Sequence, residues 1–250
     1  MKAFIPISIF ILSILSGPDL NRAQQCMPTP AGLVAWYSGD GTANDFTGNN
    51  NGTLQNGATF AAGKVGLAFC LNGNGQFVSL PANVIPYPGT QPLSVDAWFQ
   101  TTVGGVILGR QGSVSPPTPP PGSWVPAIYV GTDGILRVSI FWNGSIAPLS
   151  STATVNDGVF HHVAVTWDGS TETAYLDGVS FGSQSYTQVV DAPGYQYQIG
   201  TGFTAAWPAG DGGYFYFQGL IDEVEFFNRA LSQAEVQAIF NSGSAGTCKN

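Results

Sequence analysis

Charge is scarce in this 250-residue chain: only 9% of residues are Asp, Glu, Lys or Arg, seven basic against fifteen acidic, for a formal net charge of −8. A surface so poor in cations cannot neutralise a phosphate backbone, which excludes nucleic acid as a partner. Histidine is limited to His161 and His162. Neighbouring residues of a strand point to opposite faces, so the two imidazoles cannot share a zinc ion or activate one nucleophile. His161 falls on the face of Val163, Val165 and Trp167 and reads as a hydrogen-bonded core histidine, whereas His162 falls with Ala164 and Thr166. Long apolar runs are missing too. The one extended run, Ala3 to Leu15, is shorter than the ~20 residues that span a bilayer. It follows Lys2 and precedes small and polar residues, the order of a secretory signal peptide over residues 1–23. Its removal takes away Lys2, Arg22 and Asp19 and leaves a mature chain with five basic and fourteen acidic residues and no membrane span. The expected location is secreted, extracellular or periplasmic.

Cysteine is present three times, an odd number for an exported chain. Cys26 and Cys248 stand near the two mature ends. Sheet sandwiches often bring their termini together, so a Cys26–Cys248 bridge is expected; closing so long a loop restricts the unfolded chain by about 4 to 5 kcal/mol in the entropy model. Cys70, between Phe69 and Leu71, is then expected to be a buried free thiol.

What the chain does contain is glycine, aromatic and β-branched residues in short runs of period two. "LVAWYS", "QFVSL", "LSVDAWFQT", "GVILGR", "GILRVSIFW", "FHHVAVTWDG", "ETAYLDGVSFG" and "YFYFQGLIDEVEFF" read as strands. Asp-Gly pairs at 133, 157, 168 and 177 predict antiparallel hairpins. One segment reads as a helix: it opens at Ser232 with Glu235 completing a capping box, places Ala234, Ala238 and Ile239 on one side, and stops at Gly243. Many strands and one late helix predict an all-β, two-sheet antiparallel sandwich or jelly roll, a single domain over residues 24–250 with its core at about 32–241. "GSVSPPTPPPGSWVP", residues 112–126, is too rich in proline for a central strand and reads as a loop ending in Trp124.

"GLVAWYSGDGTANDFTGNNNGTLQNGATFAAGKVGLAFCLNGNGQFVSL", "LSVDAWFQT", "FHHVAVTWDGS", "AYLDG" and "GLIDEVEFFNRALSQAEVQAIF", in this order, resemble the concanavalin A-like jelly rolls of laminin-G-like type. The resemblance runs from Gly32 to Asn241. It implies a fold that serves lectins, carbohydrate-binding modules, adhesion domains, pentraxins and glucanases alike, so function has to be argued from sites.

Glycoside hydrolysis needs two carboxylates flanking one bond. Glu223 and Glu225 alternate along one strand, but the laminarinase-like glucanases that the chain resembles carry Glu, Asp and Glu at alternate positions. Here Glu225 takes the Asp position and Phe227 the last. No catalytic residue is assigned. Strand alternation separates Asp222 from Glu223 and Glu225, which read as solvent-facing or loop-pairing residues.

Calcium takes carboxylate, amide and backbone oxygens. The loop "SGDGTANDFTGNNNG" supplies Asp40, Asn44, Asp45 and Asn49; a solvated turn is the plain alternative. The resemblance to glucanases with a structural calcium implies a ligand at Asp222 of "IDEV", tying the last strand to the first loop. For a ligand face, Trp36, Trp98 and Trp167 alternate with polar residues and read as core, while Trp124, Trp142 and Trp207 lie in or beside loops and are the candidates for stacking on sugar rings. The sequons at Asn51 and Asn143 are glycan acceptors only in a cell with that chemistry. The expected protein is a secreted, calcium-stabilised, non-catalytic module for carbohydrate or cell-surface glycan, with an extracellular protein-contact or adhesion module as the alternative and a glycoside hydrolase as the third.

Overall fold

The computed structural model describes residues 25–82, 84, 91–112, 116, 121–142, 144, 147–186 and 195–249. The expected signal peptide, Asn143 and residues 113–115 and 117–120 of the proline-rich stretch lie outside them. The strands are β1 (Leu33–Tyr37), β2 (Thr53–Gln55), β3 (Thr59–Ala62), β4 (Leu67–Asn72), β5 (Phe77–Leu80), β6 (Leu93–Gln111) and β7 (Trp124–Val130). There follow β8 (Ile135–Val138), β9 (Leu149–Thr154), β10 (Phe160–Trp167), β11 (Thr171–Leu176), β12 (Val179–Ser185), β13 (Gln196–Ile199) and β14 (Gln218–Phe227), then helix α1 (Gln233–Ser242).

Every ladder between these strands is antiparallel. One sheet runs β12-β11-β10-β6-β14, and β14 then pairs β4 along its first half and β1 along its second, with β3 outside β4. The other runs β9-β8-β7-β6-β13-β5-β2. The two share β6. Its halves were expected as separate strands because Gly104 and Gly105 interrupt the alternation. Both glycines have positive φ, +130° and +127°, and a Cβ on Gly105 would stand 2.3 Å from the Phe217 Cα, so this glycine lets one strand bend from sheet to sheet beneath a neighbouring backbone. The jelly-roll architecture follows from that shared strand.

Between the sheets lies the main core, with Tyr37, Phe69, Val95, Phe99, Ile128, Val165, Trp167, Phe217 and Phe226 among its members. A second cluster joins Ala164, Tyr175 and Phe227 to Leu231, Val236 and Ile239, so α1 covers the outer face of the first sheet. The expected capping box is formed, Ser232 with Glu235. The buried side of the helix is Val236, Ile239 and Ser242; Ala234 and Ala238 are exposed. This cover explains an inversion at the histidines. His162 is wholly buried, packed with Trp98 and Phe240 at 5.1 and 6.3 Å between ring centroids, while His161 is the partly accessible one and pairs with Asp177 and Asp157.

Of the four Asp-Gly turns, those at 133, 168 and 177 join paired strands; the one at 157 leads from β9 to β10, which belong to different sheets. Cys26 and Cys248 form the expected disulfide. Cys70 is free but only half-buried, because β4 is covered more completely on one face than on the other.

Candidate functional site

Trp124, Trp142 and Trp207 come from distant parts of the chain and line one pocket of about 350 Å³, together with Tyr195 and the Gly122–Ser123 and Ala205–Ala206 segments. Trp124 opens β7, where it faces Gln111 of β6, rather than closing a loop. Its ring meets Phe203 edge-on at 5.0 Å, and its Nε1 donates to the Ala205 carbonyl at 3.4 Å. Trp207 sits in a tight turn: its N–H donates to Thr204 O and its carbonyl accepts from Gly210 N, with Ala206 and Ala209 both at positive φ. Trp142 meets Trp207 at 6.2 Å and 68°. Trp124 and Trp142 are half-buried, whereas Trp207 is 6% exposed and presents little more than an edge. Trp36, Trp98 and Trp167 are buried, as their strand positions predict.

Behind the pocket lie two buried charges that the sequence did not single out. The Arg110 guanidinium stacks 4.2 Å from the Tyr195 ring centroid and 5.1 Å from Phe141, and its Nη1 donates to Ile140 O at 3.2 Å. Ile140 N donates to Glu172 Oε1 at 3.0 Å, and Glu172 also accepts from the Tyr186 hydroxyl. Burial pushes the Glu172 carboxyl up, against these hydrogen bonds. The backbone two residues before Trp142 is thus gripped from both sides. The signal was an Arg and a Glu in runs otherwise typical of buried strands.

The acids of "IDEVE" form one cluster, against the separation that alternation predicts. Between Asp222 and Glu225 the ladder with β6 slips by a bulge, and Glu223 adopts φ +50°, which cancels the simple two-residue period. Asp222, Glu223 and Glu225 are 0%, 4% and 1% exposed, so neither glutamate faces solvent. Glu223 accepts from Trp36 Nε1 at 2.7 Å and from Lys249 Nζ at 2.9 Å, and Glu225 stands opposite Asp96 on β6. Neither lines the aromatic pocket.

The residues expected to hold calcium divide. The buried Asp45 accepts hydrogen bonds from Trp36 N, Thr47 N, Asn50 N and the Thr47 hydroxyl at 2.6 to 3.0 Å. Burial works against its charge, but these donors prevail and hold its pKa below the ordinary value. Asn44 and Asn49 are exposed, and the Asn49 amide donates to Thr47 O. That loop is therefore organised by its own N–H and hydroxyl groups. Asp40 accepts from Leu67 N at 2.9 Å and pairs with Lys249. Asp222 Oδ2 accepts from Val65 N at 2.9 Å, while its Oδ1 has no hydrogen-bond partner among the described residues. Among those residues no three His, Cys, Asp or Glu side chains are grouped to hold a metal ion. With Lys249 in place, the donor set does not fit calcium.

The family model Laminin_G_3, of the concanavalin A-like lectin/glucanases superfamily, matches residues 72–237. A search of the curated proteins finds no match. Among solved structures, domain 4 of AbnA, an extracellular GH43 arabinanase from Geobacillus stearothermophilus in complex with arabinotriose, is 22% identical, with 82% of this chain and 97% of that one covered at a TM-score of 0.57. The binding domain of Paraclostridial Mosquitocidal Protein 1 is 16% identical over 84% of this chain, at a TM-score of 0.60. A Trypanosoma rangeli sialidase mutant displaying trans-sialidase activity is 18% identical over 87% of this chain, at 0.58. The matched region spans 52% of the mosquitocidal binding domain and 34% of the sialidase. At these identities the likeness is one of fold. With two thirds of its length matched by the family model and a jelly-roll architecture to accompany it, the chain belongs to the concanavalin A-like lectin/glucanases superfamily.

Proposed function

We propose that this chain is a secreted, non-catalytic binding module that holds an uncharged saccharide in the aromatic pocket. The observation that carries the reading is the convergence of Trp124, Trp142 and Trp207, with Tyr195, on a single pocket of about 350 Å³. Aromatic faces and edges match the apolar C–H faces of sugar rings, and the volume lies in the range of small-ligand sites. An uncharged ligand is favoured because, among the described residues, none that lines the pocket is charged. The arabinotriose complex of the AbnA domain supports a saccharide on this fold. The disulfide suits an oxidising, extracellular environment.

Calorimetric titration of the mature domain with neutral arabino-, xylo- and gluco-oligosaccharides tests this. At least one series should bind, Trp124→Ala and Trp142→Ala should each weaken it about tenfold or more, ~1.4 kcal/mol, and sialylated or uronic-acid glycans should not compete. Absence of binding to every neutral series rejects the reading. A pocket so apolar also fits an apolar peptide side chain, the protein-contact alternative; a binding partner that is a protein, lost with the same two substitutions, would favour that one.

A further inference from the structure

The acid cluster at the start of β14 is closed by a cation the chain brings itself. Lys249 Nζ lies 2.9 Å from Glu223 Oε1, contacts Asp40 Oδ2, and sits 5.3 Å from the Trp36 ring centroid. Each partner's other oxygen is already engaged, Glu223 by Trp36 Nε1 and Asp40 by Leu67 N. The other basic side chains are placed elsewhere: Arg137 pairs with Asp133, Arg229 with Glu235, Arg110 stacks on Tyr195, and Lys64 lies over Trp98. Burial works against the Lys249 ammonium, but Asp40 and Glu223 prevail and hold its pKa above the ordinary value.

The tail that carries Lys249 is fixed. Cys248 is bonded to Cys26, its N–H donates to Met27 O at 2.8 Å, Met27 N donates to Gly246 O at 2.8 Å, and the Thr29 hydroxyl donates to Cys248 O. The ammonium is therefore delivered by a covalently tethered strap, and it joins an aspartate of the first loop to a glutamate of the last strand. The resemblance to glucanases implied calcium for a tie between these same two parts of the chain, with Asp222 as its last-strand ligand.

We propose that Lys249 is a built-in replacement for a bound divalent cation. The domain folds and holds its first loop without metal: one ammonium joins the Asp40 and Glu223 carboxylates, and among the described residues no three acidic side chains are grouped to hold an ion in its stead.

Thermal melts of the mature domain in chelator and in millimolar calcium test it. The wild-type midpoint should be the same in both. Lys249→Met should melt lower by about 3 °C or more in chelator, because it leaves a buried Glu223 carboxylate without its cation, and calcium should not restore it, since among the described residues no three acidic side chains are grouped there to hold an ion. Lys249→Arg, which keeps the charge, should melt closer to the wild type than Lys249→Met does and stay indifferent to calcium. A wild type that melts lower in chelator and recovers with calcium overturns the proposal. So does a Lys249→Met variant that melts like the wild type or is restored by calcium. Wild-type far-ultraviolet dichroism and a single reactive thiol show that each variant keeps its fold and disulfide.

Discussion

Asp96 on β6 and Glu225 on β14 occupy one rung of the same ladder, each 1% exposed, with the His162 ring 3.3 Å from Asp96 on the far side. Burial pushes both carboxyl groups well above the ordinary range; Glu223 adds repulsion at Asp96, and Asp96 and Glu223 add it at Glu225. Groups this close titrate as a pair. A raised folded pKa contributes stability below the unfolded value and loses it as pH climbs. Glu225→Gln, which cannot ionise, should therefore melt like the wild type near pH 4 and above it at pH 8. Equal midpoints at pH 8 would show that the pair carries no such penalty.

Asp222 gives the same effect a defined window. Burial, with the charge of Glu223, pushes its carboxyl up to about 8, and the hydrogen bond from Val65 N only partly opposes this. In the unfolded chain it titrates near 3.9. Its contribution is thus complete below about pH 4 and is lost progressively as pH rises to about 8. The free-energy difference between Asp222→Asn and wild type, from urea unfolding at several pH values, should move in favour of the variant across that window and level off above it. A difference that stays flat from pH 4 to 8 contradicts the assignment.

Much of this architecture was legible where local chemistry is decisive. The capping box of Ser232 and Glu235, the strands of β10 to β12 with their Asp-Gly turn at 177, and the pairing of Cys26 with Cys248 follow from side chains acting on nearby backbone or on chain ends. Alternation assigned Trp36, Trp98 and Trp167 to the core, but it did not reveal that Trp207 is buried as well or that Trp124 opens a strand. What it could not show was tertiary. Gly104 and Gly105 looked like a break because the bend they permit is set by Phe217, more than a hundred residues later. Glu223 at positive φ defeats any period-two reading of "IDEVE". His162 is buried only because α1 returns to cover the sheet. β2, β3, β4, β7, β9 and β13 were not read as strands: β2, β3 and β13 are only three or four residues long, and β7 begins inside the stretch read as a proline-rich loop; Asp45 reads as a cation ligand until its four donors are seen.

Arg110 should act on the pocket without lining it. Its stacking on Tyr195 positions one pocket wall, and its bond to Ile140 O holds the backbone two residues before Trp142. Arg110→Met keeps the bulk but loses the cation–π contact and the charged hydrogen bond, together about 2 to 4 kcal/mol. The expected result is a lower urea midpoint together with weaker saccharide binding and altered Trp142 fluorescence. Trp124→Ala, by contrast, should weaken binding with a smaller change in stability. Saccharide affinity unchanged in Arg110→Met would mean that the pocket walls hold their positions without it.

The disulfide and Lys249 should not act independently. Replacing Cys26 and Cys248 with serine removes the crosslink of 222 residues' separation, at a cost of about 5 kcal/mol in the chain-entropy model. It also unties the residue next to Lys249, whose ammonium then has to find Asp40 and Glu223 from a mobile tail. Ordering that tail offsets most of what the ion pairs contribute. In a double-mutant cycle, Lys249→Met should therefore destabilise the disulfide-bonded protein markedly and the serine variant much less, a coupling of about 1 kcal/mol or more. Urea unfolding of the four proteins under one condition measures it. Strict additivity would mean that the backbone bonds between Met27 and Gly246 hold the strap without the disulfide, and that the tether contributes only to the unfolded state.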